Sequence, residues 1–357
     1  MDLTAWLLRR TVPCAFVVTA IGGTGARLAV EGVLREQSWR QALSPAEADV
    51  LVVCGHGDSD LDEALDRVWA QMPGPRACAR VNAPGEVRRA LDVAHTDLLD
   101  VAAQRHDADE RDRAARAVAA PDEDMPGGLP MADRGEDRDG LKLDQLHLAL
   151  GPALPDWPAG LSLRTVIQGD VVQEAHVFLV GAYDDVSSFW DTLYPEDGQD
   201  FEHLWAAASA LDSAQRLLSV AGWPAAALSA RRLRDALLEP EPGPGIEADL
   251  RRWLRGVRRS RLLRWSLRGL GEVGDGVPVE LSGDAADRCS RWLERIEAAT
   301  GPGTAIGVKA GADTNRSALG LIPDLVVGQE LASARLIVAS LDPDTAAMGS
   351  YDPARGT

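Results

Sequence analysis

The sequence predicts two domains: an α/β domain with a small parallel sheet and flanking helices in residues 1–119, and an α+β domain with an antiparallel hairpin sheet and a helical bundle in residues 141–357. In the first part, short apolar runs alternate with helical spacing, which is typical of a layered α/β fold. In the second part, the apolar period is two at first and becomes helical after about residue 200. Between them, residues 120–140 are dense in Pro, Gly and acidic side chains, a composition that indicates a linker.

Strands of the first domain are predicted where apolar and β-branched residues run without interruption, because a parallel sheet is buried on both faces. They lie at 15–19, 49–54 and, more weakly, 77–81. Helices are predicted to follow them at about 26–36, 61–69 and 84–99, with the Ala- and Arg-rich segment 100–119 as a solvated extension of the third helix.

The second domain is predicted to begin with a strand from residue 141 and a β-hairpin over 161–180, whose turn contains Gly169 and Asp170. Helical spacing then predicts helices at about 204–222, 224–238, 246–267 and 283–299, and two further groups of apolar residues follow within 317–342. His147 and His176 fall on strands of this sheet. Two histidines without a carboxylate or thiolate companion favour surface positions over a metal site.

The composition excludes several classes of function. The 357 residues are 45% hydrophobic and carry a net charge of −18, which fits a folded globular protein and argues against a general nucleic-acid binder. No apolar run reaches the ~18 residues that a membrane span needs. The first ten residues place their charge after the apolar stretch, which is the reverse of a secretory signal. These features predict a cytoplasmic protein without a transmembrane segment of its own, able to sit peripherally at the cytoplasmic membrane face.

The four cysteines, Cys14, Cys54, Cys78 and Cys289, show no metal-ligand spacing. Scattered thiols of cytoplasmic proteins are usually reduced, buried small residues, and that is the prediction for these four.

Two strings in the first domain carry a family resemblance. Residues 48–55 have the sequence ADVLVVCG, and the helix that follows ends in QMPGPR at 71–76. They resemble the ADLLVVAG strand and the YDQMPEP-lysine string of the 20-kilodalton cluster-bearing subunit of respiratory complex I and its hydrogenase small-subunit relatives. The resemblance implies an α/β domain of the kind that holds a [4Fe–4S] cluster on four thiolates.

Strings in the second domain resemble the 49-kilodalton subunit of complex I, which is related to the hydrogenase large subunit. KAGA at 309–312, LGLIPDLVVG at 319–328 and ARLIVASLD at 334–342 resemble its RAPS, LQALPHLLRG and ADVVAILGSLD. Residues 150–152 and 161–175 resemble its GPQHP and the hairpin that follows. Both resemblances together imply a shortened fusion of two such subunits.

The ligand residues of these families are missing. Where the hydrogenase relatives have GGCNGC after the first strand, this chain has Gly22, Gly23, Thr24, Gly25 and Ala26. The loop that would supply a third thiolate is 83–85, without cysteine, and the PGCPP segment is absent. The two CxxC pairs that hold nickel are absent too, and Leu154 takes the place of the quinone-site histidine. The resemblance therefore implies a degenerate cluster loop, no metal and no cofactor.

These departures predict a non-catalytic structural or assembly subunit of a complex I-like or hydrogenase-like membrane-associated respiratory complex, whose partners are the other subunits. The chain is not predicted to be an enzyme on its own. Two alternatives stay open. One is an oxidoreductase subunit, related to NADH-quinone dehydrogenase or hydrogenase, that takes part in electron transfer with partner-held cofactors. The other is a small-molecule-binding protein that uses the Gly22–Gly25 loop.

The loop Gly55–Asp60 follows the second predicted strand and admits two hypotheses. A loop at the carboxyl end of a parallel strand suits a metal or catalytic site. Alternatively, Asp58, Ser59 or Asp60 caps the next helix, which the lack of other ligands nearby favours.

Eight arginines interleaved with apolar residues between 251 and 268 are the strongest charge anomaly of this acidic chain. A basic amphipathic helix can dock on an acidic partner, lie on anionic lipid or pair with carboxylates of its own chain. The candidate partner-interface residues are Arg251, Arg252, Trp253, Arg255, Arg258, Arg259 and Trp265.

Overall fold

A computed structural model describes residues 10–118, 134–136, 142–181, 186–193, 202–298 and 311–348. The chain divides into two compact units, Met1–His147 with Pro152–Pro155 and Leu148–Gly151 with Asp156–Thr357. The predicted fold class is confirmed: the first unit contains a parallel sheet with helices, and the second contains an antiparallel hairpin and a set of packed helices. The predicted linker 120–140 lies outside the described residues except for 134–136.

The first unit has a parallel sheet of order β2-β1-β3-β4. Its strands are β1 (Cys14–Thr19), β2 (Arg40–Gln41), β3 (Val50–Cys54) and β4 (Ala77–Val81). Its helices are α1 (Thr24–Glu36), α2 (Ser59–Gln71), α3 (Val87–Leu99) and α4 (Val101–Val118). Every residue of β3 is buried, as its unbroken apolar sequence predicts. Helices α1 and α3 close one face of the sheet, where Val30 and Leu91 enter the core.

Two details of the part of this unit up to residue 118 differ from the sequence prediction. The two-residue strand β2 was not predicted, because two polar residues carry no periodic signal. The segment predicted to extend α3 forms the separate helix α4. Asp100 ends α3 in a non-helical conformation, and its Oδ1 accepts hydrogen bonds from the Ala102 and Ala103 amides at 3.0 and 3.1 Å. A side chain that bonds the first free amides of a helix stabilises a new start at that point.

Two further strands follow, β5 (Arg134–Glu136) and β6 (Lys142–Leu150), and they pair antiparallel. The second unit contains the predicted hairpin of β7 (Leu161–Gln168) and β8 (Val171–Leu179). Gly169 occupies the turn with a φ of +64°, a conformation that glycine adopts without strain. The carboxyl end of β6 lies beside β7, where Thr165 Oγ1 donates to the Leu148 carbonyl at 3.1 Å.

The helices of the second unit form its main core, in which α6 packs against α7, α10 and α12. They are α5 (Phe189–Thr192), α6 (Glu202–Val220), α7 (Pro224–Leu238), α8 (Ile246–Arg259), α9 (Arg261–Leu267), α10 (Ala285–Ala298), α11 (Ala312–Val326) and α12 (Leu331–Leu341). The single helix predicted over 246–267 is wrong. Ser260 ends α8 and caps α9, with its Oγ accepting from the Leu263 amide at 3.2 Å.

Within the described residues, no helix is both long enough and apolar enough to cross a bilayer.

Limited proteolysis is expected to cut first within residues 120–140, because segments rich in Pro, Gly and acidic side chains are preferred sites of nicking. Mass spectrometry of the first two fragments identifies the site. First cleavage inside 49–118 or 204–267, where the backbone is held in strands and helices, would contradict the predicted linker.

Candidate functional site

The predicted cluster loop Gly22–Ala26 lies at the carboxyl edge of the parallel sheet. Only Gly22 and Gly23 belong to the connection between β1 and α1, and residues 24–26 form the first turn of α1. The end of β3 holds the backbone of this connection. The Ala20 amide donates to the Cys54 carbonyl at 2.8 Å, and the Gly23 amide donates to the Ala20 carbonyl at 2.9 Å. A Cβ atom on Gly23 would lie 2.1 Å from the Cys54 carbonyl oxygen. Position 23 therefore has no room for any side chain.

The loop after β3 packs against the same glycine. Gly55 has a φ of +93°, and a Cβ atom there would lie 2.8 Å from Gly23 Cα. The Gly55 amide also donates to the Val81 carbonyl at the end of β4, at 2.8 Å. Two glycines in backbone contact thus occupy the edge of the sheet where the family resemblance implies ligand loops.

None of the four thiols belongs to residues 22–26 or 83–85, where the resemblance implies ligands. Cys54 is buried in the core beneath α1 and α3, and burial raises the pKa of its thiol to about 12. Cys14 and Cys289 are also buried, but Cys78 on β4 is exposed, which corrects the expectation that all four are buried. The donor set does not fit a cluster held by four thiolates. The described residues also contain no group of three or more His, Cys, Asp or Glu side chains placed to hold a metal ion.

The loop Gly55–Asp60 contains the start of α2. Asp58 Oδ1 accepts a hydrogen bond from the Leu61 amide at 2.9 Å, so the helix-cap hypothesis is confirmed for Asp58. His56 is exposed beside it.

The QMPGPR string ends in a buried arginine that connects α2 to α4. The Arg76 guanidinium bonds both carboxylate oxygens of Asp107, at 2.9 and 3.2 Å, and lies 4.3 Å from the centre of the Trp69 ring. The hydrogen bond from Arg76 lowers the pKa of the Asp107 carboxyl. Gln104 bonds the amide and the carbonyl of Arg76 at 2.9 and 3.0 Å. These contacts give the string a structural role.

His147 on β6 and His176 on β8 are both exposed, so the prediction of surface positions is confirmed.

The arginine-rich segment buries one side of each of its two helices. Trp253 is buried, and its Nε1 donates to the Ala226 carbonyl of α7 at 3.0 Å. This corrects the inclusion of Trp253 among the interface residues, since its ring anchors α8 to the rest of its own unit. Trp265 and Leu262 on α9, in contrast, are 78% and 73% exposed.

Three of the eight arginines pair with carboxylates of this chain. Arg251 pairs with Glu247, Arg252 with Asp249 at 2.5 Å and Arg258 with Glu297 at 2.7 Å. The other five have no carboxylate within ion-pair distance among the residues that the structure describes: Arg255, Arg259, Arg261, Arg264 and Arg268. Ion pairs within the described residues therefore account for three of the eight arginines.

A groove of about 270 Å³ runs between α8, α9 and α10. Apolar side chains form its floor, and Arg258, Arg264 and Glu294 stand at its rim. The apolar residues that line it are Val257, Leu263, Leu267, Ala286, Cys289 and Leu293. Sequence reasoning did not find this groove. The amphipathic pattern of α10 was visible, but nothing in the sequence indicated that α10 packs beside the arginine-rich helices.

No protein-family model and no curated protein matches this sequence. Among solved structures, one chain from the membrane-bound sulfane sulfur reductase, an archaeal respiratory membrane complex, is similar to 58% of this chain over 99% of its own length. The two share 14% sequence identity with a TM-score of 0.39, which is too low to establish a common fold or function.

Proposed function

We propose that this chain is a non-catalytic structural or assembly subunit of a complex I-like or hydrogenase-like, membrane-associated respiratory complex. The observation that carries the proposal is the loop between β1 and α1. The parallel sheet is present, but Gly23 and Gly55 pack backbone against backbone at its carboxyl edge. A domain that has the parallel sheet but lacks the cysteines that would bind a cluster is expected in a subunit whose role is to contact other proteins.

The strings that resemble the 49-kilodalton subunit add support, because the fold brings two of them together. The Gly328 amide donates to the Val172 carbonyl at 2.8 Å, and the Leu331 amide donates to the Asp170 carbonyl at 2.9 Å. The β7–β8 hairpin thereby contacts the connection between α11 and α12. A third string, at 309–312, lies outside the described residues except for Gly311 and Ala312.

The same loop geometry disfavours a ligand contact at Gly23. The Gly23 amide is already bonded to the Ala20 carbonyl, and the contact with Gly55 leaves no space beside it. A loop that cradles a ligand needs free amides directed at the ligand.

The proposal is tested by isolating the tagged chain from detergent-solubilised membranes of its source cells and identifying the bound proteins by mass spectrometry. We expect near-stoichiometric subunits that resemble proton-pumping, antiporter-like membrane proteins or hydrogenase subunits. An unrelated acidic protein with the same tag is the control. Recovery of the chain alone, or with soluble proteins only, would contradict the proposal.

The purified chain is expected to bind no iron–sulfur cluster after anaerobic incubation with iron and sulfide. Hydroxyl and methyl groups at Thr24 and Ala26 cannot replace thiolates as soft ligands for iron. Iron analysis and the visible spectrum are the measurements, and a ferredoxin treated in parallel is the positive control. About four irons per chain, with a brown charge-transfer absorption, would instead favour the oxidoreductase alternative.

A further inference from the structure

We infer that the groove between α8, α9 and α10 receives a helix of a partner protein that is apolar on one face and acidic along its flank. The inference rests on the proposed function, since it names the chemistry of the contact by which the subunit is held. Three properties of the groove carry it: its apolar floor, the charge of its rim and its size.

The floor offers buried contact to an apolar face. Val257 of α8, Leu267 of α9 and Leu293 of α10 line it from three helices. An amphipathic helix laid into an apolar groove is a common recognition mode.

The charge around the groove selects an acidic occupant. Arg251, Arg255 and Arg258 are spaced i, i+4 and i+7, so they form one stripe on α8 whose last member stands at the groove rim. Arg261 and Arg264 lie three positions apart on α9, Arg268 follows the end of that helix, and Arg264 lines the groove. Arg255, Arg261, Arg264 and Arg268 of these six lack an ion pair in the described part of the chain, and so does Arg259, one turn after Arg255 on α8.

The clustering of exposed arginines on a chain of net charge −18 is better explained by ion pairs at an interface than by ion pairs on a free surface. Surface ion pairs contribute only ~0–1 kcal/mol, so pairing within the chain gives little reason for the concentration. At an interface the same groups are desolvated, and each guanidinium can bond a carboxylate through two parallel hydrogen bonds.

The size and shape of the groove favour a protein helix over other occupants. Its volume of about 270 Å³ is below the ~300–1,000 Å³ of most small-molecule pockets. A lipid surface is approached by protruding side chains and leaves a concave floor uncovered. The large negative charge of the whole chain also opposes approach to an anionic bilayer.

The test uses a fluorescent synthetic helix of about five turns, with leucine along one face and glutamate along both flanks. A matched peptide carries lysine in place of every glutamate. Fluorescence anisotropy with the full chain is expected to show saturable binding of the acidic peptide and none of the basic one. Equal binding of the two peptides, or binding of neither, would overturn the inference.

The variant R255E/R259E/R264E is expected to weaken binding of the acidic peptide at least about tenfold, since a lost charged contact at an interface corresponds to more than one decade in Kd. Arg258 is left unchanged because it bonds Glu297, and a glutamate there would face Glu294 and Glu297. The charge-matched control R89E/R113E/R232E, on exposed arginines that do not line the groove, should bind like the unmodified chain.

A second variant, R255Q/R264Q, removes two of the unpaired charges without introducing negative charge. Both side chains are exposed, so the thermal midpoint should not change, while affinity for the acidic peptide should fall. If R255E/R259E/R264E fails to fold, this variant decides: unchanged affinity would overturn the inference. Binding to vesicles of phosphatidylcholine and phosphatidylserine is measured in parallel. Loss of vesicle binding alone, with peptide binding intact, would assign the surface to membrane and refute the protein-helix proposal.

The same variants separate this inference from the proposed function. If the peptide behaves as expected but no respiratory subunit is recovered from membranes, the groove inference stands and the proposed function fails. If the subunits are recovered equally well with R255E/R259E/R264E, the proposed function stands and the groove is not the contact.

Discussion

Replacing Asp212 with alanine is expected to lower the free energy of unfolding of the second unit by ~3–5 kcal/mol, the usual result of removing one partner from a buried ion pair. Asp212 lies on α6 with a fully buried side chain. Its Oδ1 accepts from Arg234 Nη1 at 2.6 Å, and its Oδ2 accepts from Arg216 Nη1 at 2.8 Å. The Arg234 side chain is also 0% exposed, so the substitution leaves its charge buried with less compensation.

The effect should extend beyond one contact because the carboxylate belongs to a network. Arg216 bonds both carboxylate oxygens of Asp342 at 2.8 and 2.7 Å, and Asp342 ends α12 with a φ of +42°. Asp212 therefore connects α6 to α7 directly and to the end of α12 through Arg216. Removing it weakens the contacts of α6 with both α7 and α12.

Urea unfolding followed by circular dichroism measures the loss. The control is Arg251→Ala, which breaks an exposed pair with Glu247 and should change the free energy of unfolding by only ~0–1 kcal/mol. A loss below about 1 kcal/mol for Asp212→Ala would show that the network tolerates a missing carboxylate, which contradicts the buried-pair argument.

Gly23→Ala is expected to destabilise the first unit by about 3 kcal/mol, at the upper end of the usual overpacking range. The new methyl group would lie 2.1 Å from the Cys54 carbonyl oxygen and 2.7 Å from its carbon. Both are backbone atoms of β3, the strand between β1 and β4, and they cannot rotate away as a side chain can. Relief of the clash requires β3 or the start of α1 to move.

The matched control is Gly85→Ala in the same unit, where a Cβ atom would meet nothing within 4 Å. That substitution should stay within about ±0.5 kcal/mol, as surface changes usually do. Thermal and urea unfolding of both variants make the comparison. Equal stabilities for the two would mean that the β1–α1 loop is free to shift, and the loop would then have room for side chains or ligands.

Much of the fold follows from local sequence signals. The unbroken apolar run that became β3 predicts a strand buried on both faces, and the turn at Gly169 predicts a two-strand hairpin. Both signals act over a few residues, so no distant contact is needed to interpret them. Asp58 as a helix cap belongs to the same class.

The helix breaks were missed for a physical reason. Asp100 and Ser260 each end one helix and cap the next, while the apolar spacing on either side continues the same pattern. A periodicity argument sees a single helix, because one capping side chain does not interrupt the period. The competition between capping and continuation is decided by the packing of the helices on either side.

The residues alone establish the net charge of −18, the arginine-rich segment and the absence of cysteine from the Gly22–Ala26 loop. They do not establish which parts of that segment remain exposed. Trp253 is buried because α7 offers it the Ala226 carbonyl, and Trp265 is exposed although it lies in a similar amphipathic pattern. The backbone contact between Gly23 and Cys54 at the end of β3 likewise forms between separate elements of the sequence. So does the groove between α8, α9 and α10. Contacts of that kind depend on how whole helices and strands pack together, and local residue patterns do not encode them individually.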